Sequence, residues 1–200
     1  MKPTTIHTIC VGDEMPLIVQ LAIENNKRII HGEGINYLIH RVPRDKAYPC
    51  AGFQAEVLKL QLLGAISNIM VLDWDIWLIG IPDLPMGKFI YFGFGNGDGP
   101  DFFLTYNNDL MMKPIFTDFK VKEVKYRSGC PGFTKLFADR LHNAGLVKRY
   151  PDDAYCHFGT RLGLMSVTGE YKDLDDERKM RTEKNAFDNL INYYRSGGKK

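Results

Sequence analysis

Ile69-Met70-Val71-Leu72-Asp73-Trp74-Asp75-Ile76-Trp77 is the stretch on which the fold turns. Four uninterrupted apolar residues read as a buried strand. Two carboxylates follow at its end, spaced i and i+2. On an extended backbone that spacing puts both side chains on one face, roughly 6–7 Å apart. Two such charges repel by about 2–3 kcal/mol at an effective dielectric of about 20. A fold has little reason to place them there unless a cation or strong donors offset the repulsion, and the reading is a divalent metal holding a nucleotide diphosphate.

A second copy of the spacing acts as a control. Asp173-Leu174-Asp175 lies in a run of charges (Glu170, Lys172, Asp176, Glu177, Arg178, Lys179) with no apolar strand ahead of it. That copy reads as a solvated helix start. What sets the first pair apart is the Ile-Met-Val-Leu before it and the flanking Trp74 and Trp77.

Upstream, Ile6 to Val11 form a strand of β-type residues ending at Gly12, and an amphipathic helix follows over 15–26 with Ile18, Leu21 and Ala22 at helical spacing. Asn36 to Val42 is a further strand stopped by Pro43. A second helix over 52–65 sets Phe53, Val57, Leu60 and Leu63 on one face. Strand, helix, strand, helix, strand predicts an α/β fold, a central and mainly parallel mixed sheet flanked by helices. Ligands of such sheets bind beyond the carboxyl ends of the strands, where Gly12 and Asp73 both fall.

Downstream the pattern is less regular. A strand is expected over 88–94, then a glycine-rich loop, Gly93 to Asp101, which lacks the Gly-Lys-Ser/Thr of a phosphate-cradling loop. Strands are expected over 102–112 and 115–126, a helix at Phe133 to Ala144, and a C-terminal helix over 174–194 with Phe187, Leu190, Ile191 and Tyr194 inward. The expected organisation is one domain over 1–195. Within it, 1–80 is a nucleotide-binding half, 81–170 completes the acceptor and metal sites, 171–195 is a C-terminal helix, and 196–200 is a flexible tail.

Two hundred residues with 44% hydrophobic content suit one compact domain. A net charge of +2 gives no global reason for a nucleic-acid partner or an anionic membrane. No apolar run reaches the ~18 residues of a membrane span, and the N-terminus lacks a leader's apolar core. Cys10, Cys50, Cys130 and Cys156 form no Cys-x-x-Cys, so free thiols in a reducing cytoplasm are expected.

A metal on Asp73 and Asp75 needs a further ligand. His157 stands out among five histidines, in Tyr155-Cys156-His157-Phe158-Gly159-Thr160-Arg161, because it ends a strand-like run with a cation four residues on. A neutral imidazole suits Mn²⁺ and a guanidinium suits a diphosphate.

Leu72-Asp73-Trp74-Asp75 after an apolar strand, with Ala55 to Leu60 ahead of it, resembles the donor-site region of metal-dependent GT-A glycosyltransferases. His157-x-Gly159-x-Arg161 is similar to the His-x-Gly-x-x-Lys segment of the retaining family that includes glycogenin and bacterial galactosyltransferases, with Arg161 one position early. Tyr106-Asn107-Asn108-Asp109 resembles that family's Tyr-x-Asn-x-Gly segment. In its compact length the chain also resembles a chlorella-virus glycosyltransferase domain, which would imply a host cytoplasm.

The resemblance implies a GT-A-like domain that transfers a hexose from a UDP-sugar to a glycan or protein-glycan acceptor. It implies Mn²⁺ or Mg²⁺ and a retaining outcome. Asp73, Asp75 and His157 would be the metal ligands, with Asp73 also on the ribose. Cys10, Val11 and Gly12 would hold the uracil and ribose by backbone, beside Trp74, with Arg161 and Lys59 as cations for the diphosphate. Asn108 falls in the segment resembling the catalytic one. If the reaction inverts, Asp98, Asp101 and Asp118 are candidate bases. Two alternatives remain: a haloacid-dehalogenase-like phosphatase, which also places Asp-x-Asp at a strand end, and a non-catalytic nucleotide- or glycan-binding module.

Overall fold

Every side chain of Ile69–Leu72 is buried, because this strand runs inside a sheet covered on both faces. The computed structural model describes residues 1–48, 50–85, 89–94, 100–107, 132–159 and 170–198, with backbone alone for 100–103 and 132–137. In chain order the elements are β1 (Thr5–Val11), α1 (Leu17–Gly32), β2 (Asn36–Val42), α2 (Ala51–Ala65), β3 (Ile69–Leu72), β4 (Ile76–Leu78), β5 (Ile90–Phe94), β6 (Pro100–Asn107), α3 (Gly132–Asn143), β7 (Val147–Arg149), β8 (Tyr155–His157) and α4 (Asp176–Arg195).

Six strands form one sheet in the order β2-β1-β3-β6-β5-β7. The β1–β2, β1–β3 and β5–β7 pairs are parallel; β6 runs antiparallel to both its neighbours. The expected mixed, mainly parallel sheet with flanking helices is therefore what forms. Alternate residues separate the two faces. Ile9, Val11, Ile69 and Val71 pack with Phe53, Val57, Leu60 and Leu63 of α2. On the other face Cys10 joins Ile18, Val19 and Ala22 of α1 in a core that takes in Ala186, Leu190 and Tyr193 of α4.

The chain leaves β1 toward β2 on one side and returns to β3 on the other. The crevice between β1 and β3 is thus a topological switch point, where open α/β sheets place their ligands. β1 pairs with β3 only as far as Thr8 opposite Leu72, while its pairing with β2 continues to Val11 opposite Val42. The tip of β1 therefore overhangs Asp73 by three residues, Ile9 to Val11.

Three expectations change. First, α1 continues past Asn26 to Gly32; Asn25 and Asn26 look like a helix end, but their amides are used by the backbone of β4. Second, α4 turns a different face inward. Ala186, Leu190 and Tyr193 are buried, Phe187 is partly so, and Ile191 and Tyr194 are 43% and 55% exposed. The hydroxyl of Tyr193 donates to the Asp152 carbonyl at 3.2 Å, which holds that face down. Third, Cys10 and Cys156 are free and buried, whereas Cys50 is disulfide-bonded, so the expectation of free thiols fails there. The Cys50 sulfur also caps α2, accepting from the Phe53 N–H at 3.4 Å.

Asp175 of the control pair is the N-cap of α4, its carboxylate accepting from the Arg178 N–H at 2.9 Å. The strand expected over 115–126 lies outside the described residues, and β6 is described as far as Asn107.

Candidate functional site

Asp73 and Asp75 do not lie on one extended strand. The chain turns between β3 and β4, with the Ile76 N–H donating to the Asp73 carbonyl at 3.3 Å. The two carboxylates consequently meet different partners. Asp73 follows Leu72, which faces the Met70 side of the sheet, so its own side chain points toward α2. There it forms an ion pair with Lys59, which also pairs with Glu56 one turn back on α2. Lys59 is 1% exposed and Asp73 26% exposed. The lysine is thus buried beneath the aspartate, and it is Asp73 that faces solvent.

Burial pushes the Asp73 carboxyl up to about 6, against the pull of the Lys59 ammonium and with the Asp75 charge adding to the rise. Lys59 moves upward too: its burial would lower it, and the Asp73 and Glu56 carboxylates outweigh that. Lys59 is therefore a buried cation held between two carboxylates.

Asp75 belongs to a different neighbourhood. β4 pairs antiparallel with β8, Ile76 opposite His157, in a two-stranded ribbon beside the main sheet. The Phe158 N–H reaches the Asp75 carbonyl at 3.1 Å. That pairing brings His157 Nε2 within 3.4 Å of Asp75 Oδ1. Asp75 is 7% exposed, and His157 is half-buried. Gly159 follows with φ +65°, a left-handed turn that lets the chain leave the ribbon.

These atoms can be tested against the chemistry of a cation. Neighbouring ligands on one first-row cation stand about 3–3.4 Å apart, because each bond is about 2.1 Å long. The Asp75–His157 oxygen–nitrogen distance falls in that range. Among the described residues no group of three or more His, Cys, Asp or Glu is gathered for a metal. The two described donors, a carboxylate and an imidazole, suit Mg²⁺ or Mn²⁺, which also take phosphate oxygens and water as ligands.

The other expected binding residues cluster at the tip of β1. Cys10 and Val11 have buried side chains, leaving their backbone to meet a ligand, and Gly12 adopts φ +107°. A Cβ on Gly12 would stand 3.2 Å from Glu170 Oε2, so the glycine allows this carboxylate to lie over the strand tip. Trp74 is half-buried against the α1–α4 core. Beside the tips of β1 and β2 is an open cavity of about 340 Å³, lined by Asp13, Glu14, Met15, Gln20 and Arg41. Arg41 stands beside Cys10 in the register.

The N-terminus of α1 opens on this loop, and its positive end is already taken. Pro16 cannot cap it; instead the Glu183 carboxylate accepts from the Leu17 N–H and, at 3.1 Å, from the Ile18 N–H. Lys172 bonds Asp13 at 2.9 Å and Lys179 bonds Glu14 at 3.1 Å, tying the same loop to the C-terminal segment. The N-terminus of α1 is therefore not open to a diphosphate.

Asp98, Asn108, Asp118 and Arg161 lie outside the described residues; Asp101 is on β6, opposite Gly93. The sequence reading missed Glu56, Glu170 and Arg41. Glu56 had a signal, a carboxylate three residues before a lysine on a helix; Glu170 had none, since only the fold brings it to Gly12.

No protein-family model matches the chain, and neither does any curated protein sequence. Among solved structures, it is similar to a mutant of Drosophila β1,4-galactosyltransferase 7 in complex with manganese, UDP-Gal and xylobiose. The TM-score is 0.52 at 11% identity, over 88% of this chain and 78% of that one. A glycosyltransferase involved in glycosylation of the major capsid of PBCV-1 aligns with a TM-score of 0.47 at 10% identity, over 74% of this chain and 82% of that one. The CTP:phosphocholine cytidylyltransferase of Streptococcus pneumoniae aligns with a TM-score of 0.45 at 11% identity, over 91% and 98%. At these identities a likeness speaks for the fold alone, and only the first is strong enough to be used. The chain has a GT-A-like glycosyltransferase fold.

Proposed function

We propose that this chain is a divalent-metal-dependent glycosyltransferase that moves a hexose from a UDP-sugar to a glycan or protein-glycan acceptor. The observation that carries the reading is the meeting of Asp75 and His157, 3.4 Å apart where the β4–β8 ribbon follows the carboxyl end of β3. A galactosyltransferase of like fold was solved with manganese and UDP-Gal, which supports the same ligand class here. Asp75 and His157 would hold Mn²⁺ or Mg²⁺. When bound, the cation would neutralise the diphosphate charge that grows as the sugar leaves.

The chain's own residues divide the remaining tasks. Asp73, oriented by Lys59, takes the ribose side and the edge of the metal site. The overhanging backbone of Cys10 to Gly12 receives the nucleoside, and the cavity by Arg41 and Gln20 offers donors and acceptors to its polar edge. With α1 capped by Glu183, the positive charge for the diphosphate would come from the cation, with Arg161 in the role the resemblance gives it. Retention through the departing phosphate belongs to this proposal, with Asn108 as a catalytic candidate and Asp98, Asp101 or Asp118 as base if the reaction inverts. The anomeric configuration of the product decides between them.

The test is calorimetry of UDP binding with and without Mn²⁺. Asp75→Ala should abolish the metal-dependent part, and His157→Ala should weaken Mn²⁺ affinity about 10–100-fold. Equal UDP affinity in the presence and absence of metal in the parent protein overturns the assignment. Release of phosphate from a simple phosphomonoester with Mg²⁺, unaffected by UDP, would favour the phosphatase instead. Metal-dependent UDP binding without hydrolysis or transfer of any UDP-sugar would leave a binding module.

A further inference from the structure

We propose that Asn26 is a positioning residue for the Asp75–His157 pair: its carboxamide completes the outer edge of β4 and thereby fixes the ribbon that carries both groups. The functional half of this inference rests on the metal reading above. Asn26 lies inside α1 and is 2% exposed. Its amide nitrogen donates to the Ile76 carbonyl at 2.8 Å, and its amide oxygen accepts from the Leu78 N–H at 2.8 Å. A neighbouring strand would serve β4 with the same pair of bonds, one given and one received. One side chain stands in for a strand. Only a carboxamide offers both a donor and an acceptor at that reach; a carboxylate lacks the donor and an aliphatic chain lacks both.

The other edge of β4 pairs with β8, and the Phe158 N–H closes on the Asp75 carbonyl. A continuous set of hydrogen bonds therefore runs from α1 through Asn26 and β4 to the two groups proposed to take the cation. Asn25 reinforces it, donating to the Leu78 carbonyl at 2.8 Å. The far side of β8 is fixed as well. The Tyr155 hydroxyl accepts from the Phe94 N–H at 2.9 Å and donates to its carbonyl at 3.2 Å, and the Asn189 amide donates to the Phe158 carbonyl at 2.7 Å. Asparagine is a poor residue for a helix interior, because its amide competes for backbone partners. Here that tendency is turned outward to serve β4. A ligand pair needs placement to within about 0.5 Å, so loosening this edge should be felt in metal affinity before it is felt in the fold.

The experiment compares Asn26→Leu, which deletes both bonds at similar volume, with Ile23→Ala, a buried α1 substitution in the cluster that Trp77 packs against, which loosens that packing and leaves both Asn26 bonds to β4 in place. Amide exchange at Leu78 and Phe158 and Mn²⁺ affinity are measured on both at matched loss of thermal stability. Asn26→Leu should speed exchange at Phe158 about tenfold or more relative to Ile23→Ala. It should also weaken Mn²⁺ binding about 10–100-fold, as other outer partners of metal ligands do. Asn26→Asp, which keeps the acceptor for Leu78 and loses the donor to Ile76, is the second variant should the leucine form fail to fold, and it should show the same ordering. Equal exchange in the asparagine and isoleucine variants, or Mn²⁺ affinities within about twofold, overturns the role of Asn26. A parent protein that binds no Mn²⁺ overturns the metal reading alone, and the exchange comparison still decides whether Asn26 holds the ribbon.

Discussion

Lys59→Met removes one ammonium from between two carboxylates and leaves the apolar stem in place. Glu56 and Asp73, with side chains 15% and 26% exposed, would then face a thioether and each other. Each lost pair is worth about 4 kcal/mol at 4 Å and an effective dielectric of about 20. The variant also escapes the cost of burying Lys59, so the net loss from stranding buried partners is about 3–5 kcal/mol at pH 7. A chain of this size moves by about 2–4 °C per kcal/mol, so the melting temperature should fall by about 6–20 °C. The pH dependence is the sharper signature. Asp73 is pushed up to about 6 by burial even with Lys59 pulling it down, against about 3.9 in an unfolded chain. Without Lys59 it climbs further. An acid whose folded pKa is raised costs stability above its unfolded pKa, because the folded state binds the proton more readily. That cost is relieved as pH falls through the window from 6 or above toward 4. The gap between variant and parent should therefore narrow on acidification from pH 7.5 to pH 5. Thermal and urea unfolding at the two pH values measures it, and Glu56→Gln added to Lys59→Met should recover part of the loss. A melting temperature within about 2 °C of the parent at pH 7.5, or a gap that widens in acid, would show that Lys59 does not sit between ionised carboxylates.

Gly12→Ala should destabilise the fold by about 1–3 kcal/mol, since φ +107° is strained for any side chain and the new Cβ would crowd Glu170. Adding Glu170→Ala should return the crowding part and leave the backbone part, and an unchanged melting temperature in Gly12→Ala would refute the strand-tip geometry. His7 is 2% exposed, its Nδ1 is 2.9 Å from His40 Nε2, and burial followed by the His40 charge brings it down to about 4. An unfolded chain binds that proton near 6.5, so between pH 4 and 6.5 the unfolded state holds more protons and stability rises with pH. The fold should thus lose about 3 kcal/mol on acidification through that window, and His7→Leu should flatten the profile; a parent profile already flat there would count against it.

How much of this could be read from the residues depends on the range over which each feature is encoded. Ile69 to Leu72 announces a strand covered on both faces because four adjacent apolar side chains need two cores, and the structure supplies α2 on one side and the Met70–Leu72 cluster on the other. Phe53, Val57, Leu60 and Leu63 repeat at helical spacing, and that face packs as expected. Both signals lie within a dozen residues, where period and burial are tightly coupled. The Asp75–His157 meeting is set by the pairing of Ile76 with His157, far apart in the chain, and no local pattern encodes a three-residue ribbon. The same holds for Lys59: its place on a helix is legible, but its burial is decided by where the turn after β3 sends Asp73. Asn25-Asn26 shows the conflict most clearly, for local propensity argues that the helix ends there while the open edge of β4 requires that it continue. Polar side chains that satisfy backbone across the fold look, in sequence, like the ends of elements. A buried asparagine that breaks its own helix rule is therefore better evidence of a positioned site than the paired aspartates, which recur at 173 and 175 merely to begin a helix.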